Sequence, residues 1–186
     1  MSGDDALSTA ESKMEKAIEV LRNELATIRT GRASPGLVEN VKVDYHGVQM
    51  PLNQVAGIST PEARLIVIQP WERQILGNIE KAILKSDLGL NPNNDGNVIR
   101  LVIPQLTEER RNQLVKVVRR RIEEGRVSVR NVRREALEKL RQMKDSKEMS
   151  EDDQRRAQNR LQQITDGFIE RIDKVAKDKE AELLEF

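Results

Sequence analysis

Three apolar stripes dominate the pattern of this chain. Leu7, Met14, Ile18, Leu21, Leu25 and Ile28 recur at three, four or seven residues. Leu114, Val118, Ile122, Gly125, Val129, Val132, Ala136, Leu140 and Met143 repeat the spacing, and so do Ala157, Leu161, Ile164, Phe168, Ile172 and Val175. Such spacing lines one face of a helix. Three helices with one stripe each satisfy one another in an antiparallel three-helix bundle. Thr107 with Glu108 and Glu109 predicts the start of the second helix, and Ser150 with Asp153 the start of the third. The second helix, over 107–144, would run about 57 Å at 1.5 Å per residue. A compact chain of this length would be only about 40 Å across, so an elongated molecule is expected.

Residues 31–104 break the pattern. They hold 14 charged residues in 74 positions, against 49 in the other 112. Val41, Val43 and Tyr45 alternate, His46-Gly47 reads as a turn, and Val48 and Met50 resume the alternation, which predicts a hairpin. LIVIQP (65–70) and VIRLVIP (98–104) suit buried strands. Ile75, Ile79 and Ile83 step by four and predict a helix near 72–86. NPNNDGN (91–97) reads as a turn. The fold class is therefore α+β: a discontinuous bundle of residues 1–30 plus 105–186, with a small β/α/β domain, 31–104, inserted between its first two helices. Both ends of the insert would leave the bundle side by side, and two short adjacent connections make a hinge.

Composition excludes several functions. With no cysteine there is neither a disulfide nor a thiolate metal site. A single histidine, His46, leaves no transition-metal cluster and no histidine-based triad. One Trp, one Tyr and two Phe cannot build a base-stacking platform. No apolar run is long enough to span a membrane. The stretch MSGDDALSTAESKMEK is acidic and lacks the apolar core of a signal peptide, so a cytoplasmic location is expected. No pair of carboxylates stands out as an acid/base couple, and no enzyme, cofactor or metal is expected.

The net charge of +1 conceals segregation. Residues 110–141 carry twelve Lys/Arg and four acids, while 150–186 carry seven and ten. At about 100° per residue, Arg119, Arg126, Arg130 and Arg133 fall within roughly 60° of one another beside the apolar seam. Glu123 is the only acid near this stripe on its own helix, so the arginines are expected to stand unpaired and to suit phosphate. A solvated face whose arginine stems cover the seam is the alternative. The residues alone leave two principal readings open, a helical adaptor that binds protein and a basic helix that grips folded RNA by its backbone. An RNA-modifying or hydrolytic enzyme is a more distant third.

RTGRASPG (29–36) has the glycine spacing of a phosphate-binding loop but lacks the Lys and Ser/Thr that should follow, and it succeeds a helix rather than a strand. Gly31 is better read as the stop of helix one. Gly125, on the second seam, reads as a point of close helix approach.

Four segments, IRTGRASP (28–35), SDLGLNPN (86–93), PQLTEERR (104–111) and VSVRNVRREA (127–136), resemble the bacterial ribosome recycling factor family, as does the closing KEAELLEF. DYHG (44–47) departs slightly, since the family often has a second aromatic where His46 stands. The resemblance implies an L-shaped molecule like transfer RNA. It also implies a monomeric factor that, with elongation factor G and GTP, splits the post-termination ribosome. Its bundle would lie on the 23S ribosomal RNA of the large subunit, and its inserted domain would swing. By matching positions, Arg32, Arg111, Arg130 and Arg133 would contact ribosomal RNA, and Thr30-Gly31 with Pro104-Gln105 would form the hinge. Arg29 stays open between RNA contact and interdomain packing.

Overall fold

The structure, a computed structural model, describes residues 2–185, and the side chain of Glu185 lies outside that description. Helix α1 (Gly3–Ala26) opens on a reciprocal cap. The Asp5 amide donates to Ser2 Oγ at 3.2 Å, and the Ser2 amide donates to Asp5 Oδ2 at 2.8 Å. The helix stops at Ala26, not at Gly31 as the sequence predicts. Thr27 and Ile28, both β-branched, follow directly, and Gly36 returns so close that a Cβ there would lie 3.0 Å from Ala26 Cβ. Gly31 does adopt the left-handed conformation, φ 84°, but in the connecting segment.

Next come β1 (Lys42–Tyr45), β2 (Val48–Pro51), the single turn α2 (Leu52–Val55), β3 (Ala56–Glu62) and β4 (Leu65–Pro70). They are followed by α3 (Leu76–Lys85), β5 (Pro92–Asn94), β6 (Ile99–Val102), α4 (Glu108–Asp145) and α5 (Glu151–Glu185). The hairpin β1–β2 turns on His46 (φ 51°) and Gly47 (φ 87°), the positive pair a two-residue turn needs. Strands β3, β4, β6 and β5 form one antiparallel sheet in that order. Three elements were not legible: the single turn α2 and two strands. Strand β3 carries Gly57 and Pro61 and has no clean alternation; it occupies a sheet edge, where Pro is tolerated, and its register shifts between Ser59 and Glu62. Pro92–Asn94, expected as part of a turn, is the other edge strand, and the turn itself is confined to the residues after it.

The chain divides into two compact units. One joins the residues through Leu25 with Val115–Ala181; the other joins Ala26–Leu114 with the residues from Glu182 onward. In the first, α1, α4 and α5 bury their stripes together, with Met14, Ile18, Val118, Val129, Leu140, Leu161 and Ile172 wholly enclosed. Cross-helix ion pairs fix the directions. Lys13–Glu135 and Arg121–Glu24 run α1 against α4, Arg126–Asp173 and Arg119–Glu180 run α4 against α5, and Arg160–Asp4 with Arg171–Glu15 sets α5 parallel to α1. Ile164 and Val175 lie at the margin of the third stripe, while Thr165 is buried, its hydroxyl donating to the Leu161 carbonyl at 2.8 Å. Thr107 and Ser150 cap their helices as expected, accepting the amides of Arg110 and Asp153 at 3.1 Å each. Gly125 leaves room for α1: a Cβ there would lie 2.9 Å from Leu21 Cδ2.

In the second unit, one face of the sheet (Ile66, Ile68, Ile99, Leu101) shares a core with Leu76, Ile79 and Ile83 of α3 and with Ile75 just before it. The turn before β6 is tied by Asp95, whose Oδ1 accepts the amides of Asn97 and Val98 at 2.8 and 2.9 Å and whose other oxygen pairs with Arg100. The Val98 amide foremost, then Arg100 and the Asn97 amide, hold this carboxyl at about 2. A depressed carboxylate stabilises above its unfolded value and ceases to do so as pH falls through its folded one. The Asp95 carboxyl carbon should therefore titrate near 2, with the Asn97 and Val98 amide resonances moving alongside. A midpoint at the ordinary aspartate value, 3.8, would show that the tie does not hold in solution.

Candidate nucleic-acid interface

The seam of α4 faces α1 and α5, so the rest of its circumference decides what it can meet. Arg119, Arg126, Arg130 and Arg133 do fall together, along the border with α5, but three of them are engaged. Arg119 Nε donates to Glu180 Oε1 at 3.1 Å. Arg126 donates through Nε and Nη2 to Asp173 Oδ1 at 3.2 and 2.7 Å and through Nη1 to Glu123 at 3.3 Å. Arg130 Nη1 reaches Glu123 Oε1 at 3.4 Å. Asp173, followed by Glu123, pushes the Arg126 guanidinium up from its ordinary range. The expectation of a wholly unpaired stripe is thus corrected. Counting acids on one helix could not see Asp173 and Glu180, which the antiparallel packing of α5 delivers from 47 and 61 residues away. Arg119, Ile122, Glu123, Arg126, Ala176 and Glu180 line a surface cleft of about 430 Å³.

Arg133 differs. It is half-buried, and among the described residues its side chain has no hydrogen bond or ion pair. The same is true of three exposed cations that the sequence reading passed over, Lys116, Arg120 and Arg134. At about 100° per residue they lie within roughly 40° of one another and opposite the seam. That is the one direction from which neither neighbouring helix can bring a carboxylate, so the wheel itself held the signal. Exposed Val127 lies on the same line. Ion pairs at a surface add little net stability and exchange readily. The paired arginines can therefore turn to phosphate, while the outward line meets it with no partner to give up.

The remaining expected residues belong to the sheet-containing unit. Thr30 is buried, its hydroxyl 3.5 Å from Glu182 Oε2. Gly31 is buried and Arg32 exposed. Pro104 and Gln105 are exposed, between buried Ile103 and Leu106. Arg111 is half-buried, with its Nε enclosed and lacking a hydrogen-bond partner. Two backbone contacts secure the segments around these residues. The Ala33 amide donates to the Ala63 carbonyl at 2.7 Å and the Ile103 amide to the Arg64 carbonyl at 2.8 Å, while Arg64 Nε returns to the Ile103 carbonyl at 2.9 Å. Both segments are thus moored to consecutive residues of the β3–β4 turn. Among the described residues no group of His, Asp or Glu is placed to hold a metal ion, and no helix is long and apolar enough to cross a membrane.

A family model described as ribosome recycling factor matches residues 21–184. The chain belongs to the ribosome recycling factor family. Members of this family are non-enzymatic translation factors that act in ribosome recycling. The ribosome-recycling factor of Carboxydothermus hydrogenoformans is 56% identical over 180 residues, 97% of each chain. That of Halothermothrix orenii is 53% identical over 176 residues, 95% of each. A solution structure of a ribosome recycling factor, 46% identical, matches with a TM-score of 0.80 over 100% of this chain and 99% of its own. The Thermus thermophilus factor, placed with Escherichia coli elongation factor G on the E. coli post-termination complex, is 48% identical, with a TM-score of 0.73 over 99% and 100%. Helical bundle, small sheet domain and family thus agree with the reading of the sequence.

Proposed function

We propose that this chain, as a monomer in the cytoplasm, works with elongation factor G and GTP to split the post-termination ribosome into its subunits. The bundle, residues 1–30 plus 105–186, anchors on 23S ribosomal RNA through α4, and the inserted domain, 31–104, moves on a two-strand hinge at Thr30-Gly31 and Pro104-Gln105. The observation that carries the anchoring is the line of unpartnered cations Lys116, Arg120 and Arg134, with unpartnered Arg133 on the border that faces α5. Rigid spacing on a helix and a near absence of aromatics suit a phosphate backbone better than unstacked bases. Arg119, Arg126 and Arg130 join by exchanging carboxylate for phosphate, Arg111 extends the contact toward the start of α4, and Arg32 carries it onto the inserted domain.

The moorings at Ala33 and Ile103 support the hinge. Outboard of them, Gly31 brings a permissive backbone and Pro104 has no amide to donate, which favours rotation at these two points. The factor itself performs no bond chemistry. Hydrolysis occurs on elongation factor G, and force carried by the bundle disrupts the bridges between subunits. With post-termination ribosomes, light scattering should fall only when this protein, elongation factor G and GTP are all present. Splitting without the protein, or none with all three, would overturn the reading.

A further inference from the structure

A second cationic site lies away from the bundle. In the sheet-containing unit, a surface cleft of about 310 Å³ between β1 and α3 is lined by Lys42, Gln49, Lys81 and Lys85, with Asp44, Asn78 and Ala82. All three lysines are exposed, and among the described residues none has a hydrogen bond or ion pair. Lys81 and Lys85 stand one turn apart on α3, a like-charge pair that destabilises an isolated helix. No acid stands three or four residues from either to relieve it, and nearby Glu80 is taken by Asn94 at 2.9 Å. Asp44 does not neutralise the cleft. Its carboxylate accepts the Gly47 amide at 2.8 Å, and three lysines against one aspartate leave a balance of +2. Across the floor, Asn78 Nδ2 donates to the Asp44 carbonyl at 3.1 Å and ties helix to strand.

We propose that this cleft binds the phosphodiester backbone of RNA, giving the inserted unit its own contact with ribosomal RNA. The inference goes beyond the α4 interface but rests on the reading of the chain as an RNA-bound factor. RNA fits better than an acidic protein surface. A protein interface is anchored on buried aromatic or aliphatic groups at its centre, and here Ala82 supplies the only apolar side chain. Flexible ammonium groups flanking the Gln49 and Asn78 amides offer donors to phosphate oxygens without reading bases.

The test is an amide NMR titration of the full chain with a short RNA duplex, with a polyglutamate peptide of equal charge in a second series. Amides of Lys42, Gln49, Asn78, Lys81 and Lys85 should move with RNA, at an affinity at least ten-fold above that for polyglutamate. In the triple variant Lys42→Ala, Lys81→Ala, Lys85→Ala, the affinity read at these amides should fall at least ten-fold. The slope of log affinity against log salt at the cleft should shrink by about 3. The affinity read at α4 should stay within two-fold, which also shows that the variant is folded. Still cleft amides beside moving α4 amides would overturn the cleft alone. So would an unchanged affinity in the triple variant, while equal binding of polyglutamate would assign the cleft to acidic protein. Moving cleft amides beside still α4 amides would uphold the cleft and overturn the α4 interface.

Discussion

Arg133→Glu is expected to lower affinity for the large ribosomal subunit by roughly 30-fold or more, while helicity and melting temperature stay as they were. Arg133 has no carboxylate partner, so its loss orphans no other charge, and its stem lies at the margin of the seam rather than inside it. Reversing the charge removes a phosphate contact and adds repulsion, so the loss should appear across RNA sequences alike. The slope of log affinity against log salt should also shrink by about 1 or more. Arg126→Glu is the informative contrast. It breaks the pairs with Asp173 and Glu123 and sets three acids together, so both melting temperature and binding should fall. Equilibrium binding to purified large subunits at several salt concentrations, with a thermal melt of each variant, separates the two. Unchanged binding by Arg133→Glu would remove Arg133 from the interface and count against α4 as the anchor.

Gly125→Leu is expected to destabilise the bundle by about 1–3 kcal/mol through overpacking. Two terms compete at this position. Any side chain gains up to about 1 kcal/mol over glycine within a helix. Against that, even a Cβ would lie 2.9 Å from Leu21 Cδ2. Leu21 is itself buried, with 2% exposure, so its methyl has little room to retreat. For alanine the terms roughly cancel, and Gly125→Ala should melt close to the parent. For leucine three further carbons must enter the α1–α4 contact, and the packing term wins. Adding Leu21→Ala to Gly125→Leu should restore part of the loss, since a cavity on one helix receives the side chain from the other. A double-mutant cycle by denaturant unfolding measures this. Strict additivity would show that the two positions do not meet.

The bundle was legible because its information is periodic. The apolar stripes, Thr107 and Ser150 each act within a turn or two of chain, so local reading placed both ends of α4 and the start of α5 within a residue or so. The paired hairpin followed from alternation and from His46-Gly47 for the same reason. What escaped depends on distance along the sequence. Strand β3 exists because β4 offers it an edge, not because AGISTPE alternates. The stop at Ala26 depends on Gly36 returning over the helix end. At the candidate interface, the positions of the arginines were readable and their pairing was not, because Asp173 and Glu180 arrive on another helix. The lysine cleft escaped for the same reason, since Lys42 and Lys81 become neighbours only when α3 packs on β1.

The discontinuous bundle also sets an order on how the chain can be made. Helix α1 is synthesised first, yet both helices that cover its stripe lie beyond Glu108. About eighty residues must follow α1 before α4 begins to emerge, which takes roughly 4–16 s at ordinary elongation rates. The sheet, complete by Val102, can form in that interval from its own strands and α3. Met14, Ile18 and Leu21, wholly or almost wholly enclosed in the finished molecule, are meanwhile open to whatever stands at the exit of the translating ribosome. The bundle cannot close until α5 has been synthesised, so nearly the whole chain must leave the ribosome before α1 is covered.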